Sequence, residues 1–313
     1  MPEILVADIG GTNSRAGFAE PGGRPRNIVT LSNDEVGGPE GVLARALEGV
    51  AVPPTLAVLA LASPVAGDEI PLTNRDWIVR PKELARRFGI ARVHVLNDFE
   101  AIAHALPKLT GADLQPVGPP AAFTEGVKLA IGPGTGLGAA ALVPSANGDH
   151  ALATEAGHMS FGPAYPDEMM IFHRLLEKQA PLAAEHILSG SGLARLHRAM
   201  HPDLLALAPE MILRQAHAGD RAARATIAMF VRLFGRFAGD MALAFRSVGG
   251  VYIAGGVAGK LGSLFDASLF RAAFERHPPY ENLLKAIPSA LIVCPEPGLI
   301  GCAAYAQRLL ASS

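Results

Sequence analysis

The sequence predicts an α/β protein with two similar halves and a cleft between them. Apolar, strand-like runs alternate with helix-like segments in the first third of the chain, which is typical of a layered α/β architecture. A unit of strand, glycine-rich turn and strand occurs near the N-terminus and again in the middle of the chain, which indicates a duplicated domain. The length of 313 residues also suggests two domains, or one domain divided by a cleft.

The spacing of apolar residues assigns the elements in order. Strands are predicted at 4–7, 14–18, 28–31, 56–62 and 93–96, and helices at 41–47 and 81–88. Further along, helices are predicted at 167–178 and 222–245, and strands at 129–131, 139–143 and 251–254. A strand at 291–293 and the helix breakers 295–298 precede a last helix at 300–310. The Pro-, Gly- and Ala-rich stretch 107–126 predicts the boundary between the domains.

The first glycine turn has the features of a phosphate loop. The run Gly10-Gly11-Thr12-Asn13 follows the first strand, and paired glycines let backbone N–H groups approach a polyanion. Asp8 lies at the end of that strand and can hold a hydrated divalent cation such as Mg²⁺, which prefers carboxylate oxygen. We expect a nucleotide phosphate loop here, although a single glycine turn is equally consistent with an ordinary hairpin.

The second turn repeats this pattern with Gly134 and Thr135 between strands. A third glycine pair, Gly255-Gly256, follows the strand 251–254 and would let an adenine or ribose pack closely. The run 134–139 loosely fits the dinucleotide-binding fingerprint, but it leads into a strand-like run and not into a helix. The run 255–261 is one residue short of a P-loop and has Leu261 in place of Ser or Thr.

Polar residues with catalytic chemistry follow several of these elements. Asn97 and Asp98 end the strand 93–96, where open α/β sheets bind ligands, although either residue would also serve as a helix cap. Glu155 and His158 flank Gly157, so that a turn could direct both into one pocket, and the glycine would remove bulk where a ligand must approach. Further candidates are Glu185, Ser189, Asn74 and Trp77. The simplest structural interpretation of Glu185 is a solvated charge, and that of Ser189 is a helix N-cap. Trp77 is most simply a core residue.

Composition narrows the class of protein. The formal net charge is −2 and no block of Lys or Arg is present, which argues against nucleic acid or an anionic membrane as main partners. Neither a signal peptide nor a transmembrane span is predicted. The two cysteines, Cys294 and Cys302, fit a reduced cytoplasmic protein.

Together these motifs resemble the bacterial glucokinase family of the sugar kinase/Hsp70/actin superfamily. The resemblance is carried, in the family's order and over nearly the whole chain, by DIGGTNSRAGFAE, ASPVAGDEIPLTNRDW, VLNDFEAIAHALP, AIGPGTGLGAAAL, TEAGHMSFGP, EHILSGSGL, VYIAGGVAGKL, FRAAFE and PGLIGCAAY. It implies a two-domain actin-like ATPase (ribonuclease H-like) fold with a cleft, a small domain formed by 1–108 plus 299–313, a large domain formed by 109–298, and a homodimer. The related ROK kinases usually carry a Cys-rich zinc motif beside the equivalent His, and nothing after His158 resembles it.

The resemblance also implies a role for each candidate residue. Asp98 is expected to be the general base for the 6-hydroxyl of glucose, and Asn97 to bond a neighbouring hydroxyl. Glu155, His158 and Glu185 are expected to hold the hydroxyls near the anomeric carbon. The nucleotide and its hydrated Mg²⁺ are expected at Asp8, Gly10, Gly11, Thr12, Asn13, Gly134, Thr135, Gly255 and Gly256.

The expected activity is ATP-dependent phosphorylation of D-glucose at O6. One alternative is a hexokinase of broader specificity that accepts mannose, fructose or an amino sugar. A more distant alternative is a non-catalytic nucleotide switch of the same fold, which would keep the phosphate turns but would not need Asn97, Asp98, Glu155, His158 and Glu185 together. ADP and polyphosphate stay open as phosphoryl donors.

Overall fold

A computed structural model describes residues 3–73, 75–119, 122–146 and 148–311, so Asn74 lies outside the described residues. The chain forms two compact units. Unit 1 comprises Met1–Asp113, Leu142–Ala153 and Cys294–Ser313, apart from the positions not described. Unit 2 comprises Leu114–Ala141 and Thr154–Val293, with the same exception.

The strands and helices are numbered here in chain order. The strands are β1 Ile4–Ile9, β2 Asn13–Ala19, β3 Arg26–Ser32, β4 Leu56–Leu61, β5 Ile70–Pro71, β6 Ile78–Val79, β7 Arg92–Asn97, β8 Leu114–Pro116, β9 Lys128–Pro133, β10 Leu137–Val143, β11 His150–Thr154, β12 Val251–Ile253 and β13 Ser289–Ile292. The helices are α1 Asn33–Val36, α2 Pro39–Ala46, α3 Pro81–Phe88, α4 Asp98–Ala105, α5 Met169–Leu176, α6 Gly190–Met200, α7 Pro209–His217, α8 Arg221–Ala244, α9 Gly256–Leu261, α10 Ala267–Glu275, α11 Glu281–Ala286 and α12 Pro297–Ala311.

The sheet of unit 1 has the strand order β3-β2-β1-β4-β7. All five strands predicted in the first third of the chain are present, and none of their ends moves by more than two residues. β1 is parallel to β4 and β4 is parallel to β7, whereas β2 and β3 are antiparallel to their neighbours. The carboxyl ends of β1, β4 and β7 therefore share one edge of the sheet, and this edge carries Asp8 and Asn97.

The last helix, α12, packs on this sheet and completes the core of unit 1. Leu299, Cys302 and Ala303 are fully buried in a cluster with residues of β1 and β4. Gly301 lets α12 approach α4, because a Cβ at this position would lie 1.7 Å from the carbonyl oxygen of Ala101. The helix begins at Pro297, not at residue 300 as predicted, because proline suits the first turn of a helix as well as it breaks the interior.

In unit 2 the strands run in the order β10-β9-β12-β13-β8. The long helix α8, capped by the side chain of Asp220, packs against α10 in the main hydrophobic core. The predicted helix at 167–178 is instead a 3₁₀ turn, Pro166–Glu168, followed by α5. β8 lies inside the stretch predicted as a domain boundary. Its proline is tolerated because β8 is at the end of the strand order, where one side needs no backbone donor.

None of the helices in the described part of the chain combines the length and the apolar character needed to cross a membrane.

Gly132, the last glycine before the second turn, is expected to be essential for stability. A Cβ at this position would lie 1.8 Å from the carbonyl oxygen of Ala254, and backbone cannot move aside as a flexible side chain can. We expect Gly132→Ala to lower the free energy of unfolding by about 1–3 kcal/mol, measured by urea denaturation. Gly134→Ala is the matched control, since no atom of the described part of the chain lies within 4 Å of a Cβ there. Equal stability of the two variants would contradict this account.

Candidate active site

Asn97 and Glu100 form a capping box at the start of α4. The side-chain oxygen of Asn97 accepts hydrogen bonds from the backbone N–H groups of Phe99 (3.0 Å) and Glu100 (3.2 Å). The Glu100 carboxylate accepts one from the Asn97 backbone (3.2 Å), and the Asn97 amide donates to the carbonyl of Ser63 (3.3 Å). The capping role considered from the sequence is therefore confirmed for Asn97. Its oxygen is occupied, so it has only amide hydrogen to offer a ligand.

Asp98 is the first residue of α4 and is partly buried. One carboxylate oxygen accepts a hydrogen bond from the Phe99 backbone at 2.9 Å. Burial and, to a smaller extent, the negative charge of Asp8 raise the pKa of Asp98 to about 7, and hydrogen bonds at the helix start oppose the rise. A carboxyl group with a pKa near neutrality is well matched to accepting a proton at physiological pH.

Asp8 lies at the carboxyl end of β1, in the same unit as Asp98. Burial raises its pKa, and the charge of Arg15, its direct partner on β2, lowers it. A Cβ at position 298 would lie only 3.1 Å from the Asp8 carboxylate, so Gly298 leaves room beside it. No described residue donates a hydrogen bond to this carboxylate. A partly buried carboxylate with free oxygens fits a hydrated Mg²⁺ ion, which takes oxygen ligands and keeps its waters.

The first glycine turn, residues 10–13, joins β1 to β2, and its carbonyl oxygens are all bonded within the protein. The Gly10 carbonyl accepts from the Asn33 side chain (2.8 Å), the Gly11 carbonyl from Arg75 (2.5 Å) and the Thr12 carbonyl from the Asn33 backbone (3.0 Å). The Asn13 carbonyl accepts from the Gly10 amide (3.2 Å). Within the described residues, the amides of Gly11 and Thr12 have no acceptor. Such free amides in a turn form a concavity suited to an anion.

The second glycine turn, residues 134–136, joins β9 to β10 and is built in the same way. The Gly134 amide donates to the Gly136 carbonyl (2.8 Å), and the Gly134 carbonyl accepts from Gly190 at the start of α6 (2.9 Å). Thr135 is exposed, and no described residue accepts from its amide. Because β10 begins at Leu137, the dinucleotide-binding fingerprint lacks its helix, as predicted.

Glu155, His158 and Glu185 are carried by two 3₁₀ turns of unit 2, Ala156–His158 and Ala184–His186. The turns are joined by a backbone hydrogen bond from Ala184 to Met159 (3.0 Å). Glu155 and His158 are exposed, with 3.9 Å between a carboxylate oxygen and the ring Nε2. Two Glu carboxylates and an imidazole thus lie on adjacent turns and supply both acceptors and a donor for hydroxyl groups.

Two local interpretations of these turns were wrong. Glu185 is not simply a solvated charge, because its carboxylate accepts a hydrogen bond from the amide of Leu137 (2.8 Å) at the end of the second glycine turn. Gly157 is small for a structural reason and not to admit a ligand, since a Cβ there would lie 2.2 Å from the Leu137 carbonyl oxygen. Ser189 is the N-cap of α6, as predicted, and accepts from the Gly192 amide (3.1 Å).

The two glycines after β12, Gly255 and Gly256, have different roles. Gly255 has a φ of +93°, and a Cβ there would lie 2.5 Å from the Pro133 carbonyl oxygen, so the backbone itself requires this glycine. Gly256 begins α9, and nothing lies within 4 Å of a Cβ at that position. Only Gly256 therefore leaves open surface for a ligand.

Sequence reasoning missed three residues that support the site, namely Asn33, Arg75 and Glu100. Glu100 had a local signal, because an N-cap residue followed three positions later by Glu is the pattern of a capping box. Asn33 and Arg75 had none. Their bonds to the first glycine turn span 23 and 64 residues of the chain.

Comparison with known proteins identifies the family of the chain. A family model described as Glucokinase matches residues 5–309. The glucokinase of Chelativorans sp. (strain BNC1) is 39% identical over 311 residues, which cover 97% of this chain and 91% of that protein. The crystal structure of a glucokinase from an Antarctic psychrotroph matches with a TM-score of 0.88 and 29% identity, over 100% of both chains.

A more distant structure shares the fold. It is a ROK family glucokinase from Streptomyces griseus in complex with glucose and AMPPNP, with a TM-score of 0.66, 21% identity, and coverage of 98% of this chain and 99% of that one. The mixed α/β fold is thus that of glucokinase and ROK sugar-kinase structures, of the actin-like ATPase type. With a family match over nearly its full length, the chain belongs to the glucokinase family.

Proposed function

We propose that the protein transfers the γ-phosphoryl group of ATP to O6 of D-glucose. The observation that carries this proposal is Asp98, a partly buried carboxyl with a pKa of about 7 at the carboxyl end of the sheet in unit 1. Family membership supports glucose as the acceptor. The Streptomyces griseus neighbour, whose structure holds glucose together with AMPPNP, supports ATP as the donor.

In this mechanism the chain supplies a base and a set of positioned donors. Asp98 accepts the proton of the 6-hydroxyl as the oxygen attacks the γ-phosphorus of ATP; the bond from that phosphorus to the β,γ-bridging oxygen breaks, and ADP leaves. The Asn97 amide donates to a neighbouring hydroxyl. The free amides of the two glycine turns hold phosphate oxygens and stabilise the charge that develops on them. Asp8 would hold hydrated Mg²⁺, which would neutralise phosphate charge when bound.

Recognition of the sugar is assigned to Glu155, His158 and Glu185. A neutral sugar offers hydroxyl groups that both donate and accept, and a set of carboxylates and an imidazole satisfies them directionally. Asn97 and Asp98 belong to unit 1, and Glu155, His158 and Glu185 belong to unit 2. We further propose that the enzyme acts in the cytoplasm, in glycolysis, as a homodimer.

A panel of sugars and donors tests the activity. Glucose, mannose, fructose and glucosamine are each incubated with ATP, ADP or polyphosphate, and the position of the phosphate in the product is determined by NMR. We expect glucose 6-phosphate from glucose and ATP as the dominant product. Equal use of several hexoses would indicate a hexokinase of broad specificity and not a glucokinase. Absence of any sugar phosphate would reject both activities.

Glu155→Ala is expected to weaken glucose binding selectively. Loss of a hydrogen bond to a charged group costs roughly 1.5–3 kcal/mol, which corresponds to a ~10- to 150-fold rise in the KM for glucose. The KM for ATP should change little, because Glu155 is assigned no contact with the nucleotide. Steady-state kinetics with each substrate varied in turn provides the measurement. An equal rise in both KM values would point to a folding role instead.

A further inference from the structure

Arg75, which lies between β5 and β6, forms a hydrogen bond with the backbone of the first glycine turn. Its Nε donates to the Gly11 carbonyl at 2.5 Å, and its Nη2 pairs with the Asp34 carboxylate at 2.5 Å. We propose that Arg75 is a positioning residue for the phosphate groups of the nucleotide, acting through the orientation of the peptide between Gly11 and Thr12. The inference rests on the proposed function, in which ATP is the donor.

The geometry of the peptide bond carries the argument. A peptide unit is planar and trans, so its C=O and N–H point in opposite directions. When Arg75 holds the Gly11 carbonyl, it therefore also fixes the direction of the Thr12 amide. That amide has no acceptor among the described residues and is free to donate to an anion. Without the hydrogen bond from Arg75, the peptide between Gly11 and Thr12 can rotate about its flexible glycine side and turn its carbonyl toward the ligand.

Asn33 fixes the orientation of the preceding peptide, between Gly10 and Gly11, in the same way. Its side chain donates to the Gly10 carbonyl at 2.8 Å and so fixes the Gly11 amide, while its oxygen accepts from Ser14 at 2.7 Å. Asn33 is 1% exposed, and a substitution there would disturb the core. Arg75 keeps 23% of its side chain exposed and does not belong to the buried polar residues of the core, so it is the better position for a substitution.

Arg75 is itself fixed on several sides. Besides the Gly11 carbonyl and Asp34, its guanidinium lies over the ring of Trp77 with 5.3 Å to the ring centroid. A guanidinium held by a carboxylate, a carbonyl and an aromatic face keeps one orientation, and the planar fork loses little entropy on forming each bond. Its positive charge close behind the turn also favours an anion in front of it.

The test compares Arg75→Gln with Arg80→Gln. Arg80 is the matched control because it pairs with Glu69 at 2.8 Å and makes no contact with the glycine turn. For Arg75→Gln we expect the KM for ATP to rise about tenfold or more, with the KM for glucose unchanged. Isothermal titration should show weaker binding of ATP but unchanged binding of adenosine, which has no phosphate. Arg75→Lys, which keeps the charge and one donor, should recover part of the ATP affinity.

Two outcomes overturn the inference. One is an Arg75→Gln variant with the ATP affinity of the parent protein. The other is an equal loss of ATP, adenosine and glucose binding, which would show only a damaged fold. Failure of the proposed function is distinguishable, since the unsubstituted protein would then not use ATP at all.

Discussion

Asp98→Asn should lower kcat by ~10²-fold or more, because the substitution keeps the shape of the side chain and removes its basicity. Glucose binding should survive in good part, since an amide still bonds a hydroxyl. Single-turnover kinetics and glucose titration separate the two effects. Asp203→Asn, at an exposed carboxylate outside the site, is the matched control. A variant with near-normal turnover would remove Asp98 from its role as base.

The raised pKa of Asp98 gives the same residue a pH signature. The base acts only when it is unprotonated, so kcat/KM, which reports the free enzyme, should fall as the pH drops below about 7. In the Asp98→Asn variant this dependence should disappear from the residual activity. A wild-type profile that is flat from pH 8 to pH 6 would contradict the pKa and its assignment to the base.

The raised pKa of Asp98 should also make the stability of the protein depend on pH. The pKa of Asp98 is raised from 3.8 to about 7, so between these values the folded state binds more protons than the unfolded state. Stability must then decrease as the pH rises through this window. Asp98→Asn removes the ionisable group, and we expect the variant to be more stable than the parent protein at pH 8, by at most about 4 kcal/mol. Urea denaturation at pH 5 and pH 8 measures the difference.

The parts of the site that the sequence predicts are those with local signals. Both glycine turns stand between apolar runs, and Asn97 follows a strand at a position suited to a helix cap. Each could be recognised because turn chemistry and strand periodicity act over a few residues. The fold class followed from the same periodicity, which located the five strands of the β3-β2-β1-β4-β7 sheet to within two residues but not the short strands β5 and β6.

The features of the site that the sequence did not predict depend on contacts between distant parts of the chain. Asp8 raises the pKa of Asp98 only because β1, β4 and β7 pair in parallel and bring their carboxyl ends to one edge. Glu185 is tied to the second turn by a hydrogen bond to Leu137, 48 positions away in the chain. No periodicity encodes such contacts, and for that reason Glu185 was interpreted from the sequence as a solvated charge.

Gly134→Val is expected to abolish measurable ATP binding while leaving glucose binding intact. No atom of the described residues lies within 4 Å of a Cβ at this position, so the first carbon of an added side chain meets no internal clash. It would instead occupy the space in front of the second glycine turn, where the proposed phosphate groups lie. A backbone that approaches a polyanion closely depends on the absence of a side chain.

Two other glycines show why Gly134 is the suitable position for this test. At Gly136 a Cβ would lie 2.4 Å from the Glu185 carboxylate, so a variant there would disturb the proposed glucose site as well and could not separate the two ligands. Gly111→Val is the better control, because its Cβ also meets nothing within 4 Å and it lies outside both turns. Isothermal titration of Gly134→Val with ATP and with glucose, each alone, decides the matter. Loss of glucose binding with intact ATP binding would reverse the assignment of the two sites, and unchanged binding of both would exclude the second turn from phosphate recognition.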